Sequence, residues 1–115
     1  MSNDIKYSIK SRIWICTDEG TFLGEGRISL LNKIDEFGSI SKAAKEMNMS
    51  YKKAWELVNS MNSQSKTPLV ERTIGGTGGG GTILTEAGRN AIKLFQHVNK
   101  SGKASLDKEF EKICF

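Results

Sequence analysis

Over residues 5 to 15 the apolar and polar positions alternate, with Ile5, Tyr7, Ile9, Ile13 and Ile15 on one side and Lys6, Ser8, Lys10 and Arg12 on the other. A period of two is that of a half-buried β-strand. Thr17-Asp18-Glu19-Gly20 supplies a turn, and Thr21-Phe22-Leu23 a short returning strand that Gly24-Glu25-Gly26 ends. The pattern predicts a strand pair within residues 1–23. From Arg27 the period becomes helical. Ile28, Leu31 and Ile34, flanked by Leu30 and Phe37, form one apolar stripe, which predicts a first helix over about 26–37 stopped by Gly38. Ser39 is a good N-cap for a second helix over about 39–48, where Ile40, Ala43, Ala44 and Met47 fall at i, i+3, i+4 and i+7. Asn48 tolerates the left-handed conformation that ends a helix. Ser50 caps a third helix over about 50–65, which repeats the spacing at Ala54, Leu57, Val58 and Met61.

Two short amphipathic helices joined by so tight a turn, the first with an Ala-Ala pair that permits a close crossing, form the pattern of a helix-turn-helix. The residues from Pro68 to Ile74 and the segment Thr82-Ile83-Leu84 then predict a hairpin over 69–84 with the glycine run, residues 75–81, at its tip. Beyond it Ala87, Ala91, Leu94 and Val98 follow one helical stripe with Phe95 beside it, and after Gly102 the pattern resumes at Leu106, Phe110 and Ile113. The expected fold is α+β: a winged helix-turn-helix domain over 24–84, preceded by the N-terminal β-strand pair and followed by a long C-terminal helix region over 85–115. That last stripe is more apolar surface than one small winged domain covers, so a homodimer is expected.

The glycine run raises a chemical alternative. Gly76, Gly78 and Gly81 satisfy the spacing G-x-G-x-x-G, but that motif needs a helix opening on its last glycine, and here a β-prone segment follows. No Lys-Ser or Lys-Thr follows either, so a nucleotide-binding enzyme is the weaker reading. A hairpin tip without side chains instead suits close approach to a phosphate backbone, where its N–H groups donate.

The 115 residues suffice for one domain with a modest core, 37% being hydrophobic. The 17 Lys and Arg against 13 Asp and Glu leave a net charge of +4, which favours polyanionic partners. No segment offers eighteen uncharged apolar residues and the N-terminus lacks an export signal, so a cytoplasmic protein away from the membrane is expected. Cys16 and Cys114 read as small apolar residues rather than a disulfide, and His97 as a helix-surface or interface residue. No metal site, cofactor site or catalytic constellation is expected.

Gly38-Ser39-Ile40-Ser41, Ala43-Ala44, Ser50-Tyr51-Lys52, Ala54-Trp55, Pro68-Leu69-Val70-Glu71, the glycines at 75–76 and 78–81, and Leu84-Thr85-Glu86-Ala87-Gly88 together resemble the DNA-binding domain of ModE-type molybdenum-responsive regulators. LysR-type regulators share the frame more loosely, through the Ala-Ala helix and the entry to the last helix. The resemblance implies a non-enzymatic transcriptional regulator that binds double-stranded DNA as a dimer, at an inverted-repeat operator. The chain ends at Phe115, leaving no room for the molybdate-binding domains expected of metal-sensing members, so in-chain sensing is not expected. Candidate DNA contacts are Ser39 and Ser41, the N-terminal turn of the recognition helix at Ser50, Tyr51, Lys52 and Lys53, then Arg72, and the wing at Thr77, Gly78, Gly79 and Gly80. Trp55, one turn after Tyr51, is expected to pack against the wing. The alternative from another class is an interaction module in molybdenum metabolism that keeps the fold without specific DNA binding.

Overall fold

The computed structural model describes residues 4–74 and 81–114. Its elements run β1 (Ile15–Thr17), β2 (Gly20–Leu23), α1 (Glu25–Phe37), α2 (Ile40–Glu46), α3 (Tyr51–Ser63), β3 (Val70–Arg72), β4 (Thr82–Leu84) and α4 (Glu86–Glu111). The strands form two separate antiparallel hairpins, β1 with β2 and β3 with β4. This is the α+β class, with a winged helix-turn-helix at its centre and a long helix at its end.

Punctuation residues set the helix boundaries. Gly38 ends α1 in the left-handed region at φ 63°, its N–H donating to the Ile34 carbonyl. The Ser39 and Ser50 hydroxyls accept from the N–H groups of Lys42 and Lys53 at 3.1 and 3.0 Å, capping α2 and α3. Between them Asn48 takes φ 54°, and the Met49 N–H reaches back to the Ala44 carbonyl at 3.0 Å. Ala43, Ala44 and Ala54 are all buried at this corner, so short side chains bring the two helices together. Leu23, Leu30, Leu31, Ile34, Val58, Met61, Leu69 and Leu84 complete the core, and Ala91, Ile92 and Phe95 of α4 close it from one side.

Polar side chains fasten the hairpins to α3. Asn62 donates to the Val70 carbonyl at 3.0 Å and accepts from the N–H groups of Leu69 and Val70 at 2.8 and 3.2 Å. Gln64 donates to the Thr21 carbonyl at 2.9 Å and meets the Thr17 hydroxyl. Arg27 reaches from α1 to the Ser60 hydroxyl at 2.8 Å, and its partial burial lowers its pKa.

Two expectations are corrected. The strand expected over 5 to 15 begins at Ile15, and residues 5–14 carry no regular element. Alternation describes a strand that has a partner, and β2 is four residues long, so the upstream backbone has no ladder to join. Ile5 and Tyr7 are accordingly 68% and 55% exposed. Cys16 and Cys114, read as small apolar residues, are both exposed: one lies on the edge hairpin and the other beyond the end of α4. The long C-terminal helix α4 runs unbroken through Gly102. His97 is exposed on that helix.

Candidate nucleic-acid interface

The start of α3 and the base of the second hairpin face each other across a cleft of about 470 Å³. Ser39, Ile40 and Ser41 form its floor at the start of α2, Tyr51 and Trp55 one wall, and Arg72, Thr73, Ile74, Gly81 and Thr82 the other. Backbone bonds fix this arrangement. The Thr82 N–H donates to the Gly38 carbonyl at 3.0 Å, the Thr73 N–H to the Gly81 carbonyl at 2.8 Å, and the Gly81 N–H to the Thr73 hydroxyl at 2.7 Å. Gly81 is required for this approach, because a Cβ there would stand 2.9 Å from the Gly38 carbonyl oxygen.

Strand register decides which hairpin side chains enter the cleft. Val70 pairs with Leu84, Glu71 with Ile83 and Arg72 with Thr82. Val70, Thr82 and Leu84 are buried, so alternation carries Arg72 to the inward face and Glu71 and Ile83 to the outward one. The Arg72 guanidinium then stacks on the Trp55 indole, 4.3 Å from the ring centroid. Tyr51 meets the same indole edge-on, with centroids 6.2 Å apart and planes at 84°. Trp55 thus packs against the hairpin, as its position one turn beyond Tyr51 suggested.

Of the sequence candidates, Ser39, Ser41, Tyr51 and Arg72 line the cleft. Ser50, Lys52 and Lys53 do not line it but are exposed on the adjoining turn that opens α3. Ser39 and Ser50 accept as caps, leaving each hydroxyl proton free to donate. Thr77, Gly78, Gly79 and Gly80 lie outside the described residues. The residues that sequence reasoning missed are Ile40, Thr73, Ile74, Gly81 and Thr82. The two-residue alternation from Val70 through Arg72 to Ile74 was the available signal for Ile74; the pinning of Thr82 to Gly38 had none.

Among the described residues the ion pairs are Arg12 with Glu25, Lys33 with Glu36 and Lys112 with Glu109. Lys52, Lys53 and Arg72, beside the cleft, take part in none of these pairs. An open, cationic, donor-rich concavity beside the first turn of an exposed helix is suited to a polyanion carrying a groove. No group of His, Cys, Asp and Glu among the described residues could hold a metal ion, and no helix among them is long and apolar enough to cross a membrane.

Fold and site define a winged helix-turn-helix of the DNA-binding kind. The profile of the bacterial regulatory helix-turn-helix proteins, lysR family, matches residues 26–89, more than half of the chain, and the chain belongs to that family. Within that frame its sequence is similar to that of proteins named ModE. It is 40% identical over 103 residues to the molybdenum transport protein ModE of Azotobacter vinelandii, covering 90% of this chain and 38% of that protein. It is 50% identical over 86 residues to the DNA-binding transcriptional dual regulator ModE of Escherichia coli K12, covering 75% and 33% respectively. The molybdenum-pterin-binding protein MopB of Rhodobacter capsulatus is 42% identical over 93 residues, covering 81% and 34%. The chain thus spans little more than a third of the length of these relatives.

Proposed function

We propose that this chain binds double-stranded DNA in a sequence-specific manner as the DNA-reading part of a transcriptional regulator. The observation that carries the reading is the cleft between α3 and the β3–β4 hairpin, with Arg72 in its lining and Lys52 and Lys53 exposed on the adjoining first turn of α3, none of the three ion-paired among the described residues. In this reading the first turn of α3 enters the major groove, where Lys52 reaches base edges and Tyr51 and Lys53 hold the flanking backbone. Ser39, Ser41 and Ser50 donate their hydroxyl protons to phosphate. The hairpin follows the adjacent backbone through Arg72, and Thr77 with Gly78 to Gly80 extends that contact through side-chain and backbone donors.

The active species is a homodimer acting in the cytoplasm without catalytic activity, and its operator is an inverted repeat with half-sites one or more helical turns apart, roughly 34 Å each. The names of the relatives link two of them to molybdenum and one to DNA-binding transcriptional regulation. We extend both to this chain: its target genes serve molybdenum handling.

Selection of bound fragments from random and genomic DNA tests the reading. An enriched inverted repeat, bound far more tightly than random duplex at 150 mM salt, is expected. Equal, weak binding to every sequence, at the level that net charge alone produces, would refute it.

A further inference from the structure

The Arg72 guanidinium is engaged at its face. It lies on the Trp55 indole at 4.3 Å, while among the described residues no hydrogen bond or ion pair occupies its N–H groups. The indole is itself held edge-on by Tyr51, at the i, i+4 spacing of one helical face. Trp55 is half-buried, so it is rooted in the domain rather than offered whole to solvent. An arginine on a bare hairpin would sample many rotamers, whereas a planar cation laid on a fixed aromatic face keeps its five-donor fork in one plane.

We propose, building on the DNA-binding reading above, that Trp55 is a positioning residue. It presents the Arg72 fork, edge outward, to a pair of acceptor atoms on the duplex, and it locks hairpin and recognition helix into a single docking surface. Two acceptor pairs have the required spacing: two oxygens of one phosphate, and O6 with N7 of a guanine. Lysine cannot replace arginine here, because an ammonium is a point charge without a planar fork.

The test is a double-variant cycle, using fluorescence polarisation of the full chain on a random duplex and on a duplex recovered by selection with the wild-type protein. Arg72→Ala is expected to weaken binding about tenfold, and Trp55→Leu by a similar factor. The two together are no weaker than Arg72→Ala alone, Trp55→Phe recovers most of the loss, and Arg72→Lys behaves like Trp55→Leu. Losses that multiply in the double variant would mean that Trp55 acts independently of Arg72, and would overturn the proposal.

A second measurement does not depend on DNA or on the folding of a Trp55 variant. In a Trp14→Phe background Trp55 is the sole tryptophan, and Arg72→Ala should change its emission in the free protein. Unchanged emission removes the stack and the proposal with it. The source of the acceptors follows from the pattern of loss. Equal weakening on both duplexes, with the salt slope reduced by about one, marks a phosphate. Loss confined to the selected duplex and reproduced by 7-deazaguanine marks a guanine. A wild-type protein that shows no salt-dependent binding overturns the DNA-binding reading and this inference together, whereas a multiplicative cycle in a protein that binds overturns only the role of Trp55.

Discussion

Thr85 and Gly88 meet different needs within one turn of α4. The Thr85 hydroxyl donates to the Pro68 carbonyl at 2.6 Å and accepts from the Gly88 N–H at 3.0 Å, while its own N–H donates to the Leu69 carbonyl at 3.0 Å. Gly88 is demanded by what lies opposite, since any Cβ there would collide with the Leu69 carbonyl oxygen. Gly88→Ala must push the helix off the Leu69 backbone, a cost of about 1–3 kcal/mol. A thermal melt should show this as a fall of roughly 4–8 °C per kcal/mol, and an unchanged melting temperature would contradict the packing. Lys52 is the residue-scale test of function, being exposed, without an ion pair among the described residues, and in the first turn of α3. Lys52→Ala should cost about 1–3 kcal/mol on the selected operator and much less on random duplex. Equal losses on both, with a salt slope lower by about one, would reassign Lys52 to phosphate.

At the scale of elements, Asn62 is the joint between α3 and the second hairpin. Asn62→Ala removes three hydrogen bonds and leaves the N–H groups of buried Leu69 and Val70 unpaired, which should destabilise the domain by about 2–4 kcal/mol. Urea titration should report this as a lower midpoint at unchanged slope, because the surface exposed on unfolding is the same. The helices themselves were legible in the sequence, because their stripes are local and their caps are single residues: Gly38, Ser39, Asn48 and Ser50 all stand where the pattern put them. The joints were less so. Asn62 reads as an ordinary polar position on a helix, and its role depends on Leu69 and Val70 folding back beside it. The strand expected over 5 to 15 failed upstream of Ile15 for a related reason: alternation records which side chains prefer burial, not whether a partner strand exists to receive the backbone. Within the cleft, Tyr51 and Arg72 were read from helix position and charge, whereas the stacking of Arg72 on Trp55 follows from the strand register that carries Val70 inward.

The molecule as a whole is too extended for a lone compact unit. Its radius of gyration is 18.3 Å, where a compact domain of this length would have about 13 Å. The excess comes from α4, whose 26 residues span about 39 Å, and from the irregular N-terminal segment. Only the first part of α4, through Phe95, is buried on the domain; Val98 and Leu106 remain 41% and 39% exposed, and Ile113 is exposed beyond them. Ile9 and Arg12 border Lys103 and Leu106 in a shallow cleft, so the N-terminal segment reaches this part of the helix without covering it. Two further features there lack an explanation within one chain. Gly102 weakens a long helix by about 1 kcal/mol, although a Cβ at that position would meet nothing within 4 Å. The Asn99 Oδ1 atom is buried without a hydrogen-bond partner among the described residues. A second copy packed along this stripe would cover the apolar side chains and give Gly102 a close neighbour. Sedimentation equilibrium at micromolar concentration should therefore give twice the monomer mass of 12.7 kDa. Because Val98 and Leu106 lie outside the domain core, the pair Val98→Glu and Leu106→Glu should yield a folded monomer that retains weak, salt-dependent binding to single half-sites and loses its preference for the inverted repeat. A wild-type protein that sediments as a monomer and binds one subunit per site would refute the dimer and, with it, the inverted-repeat operator.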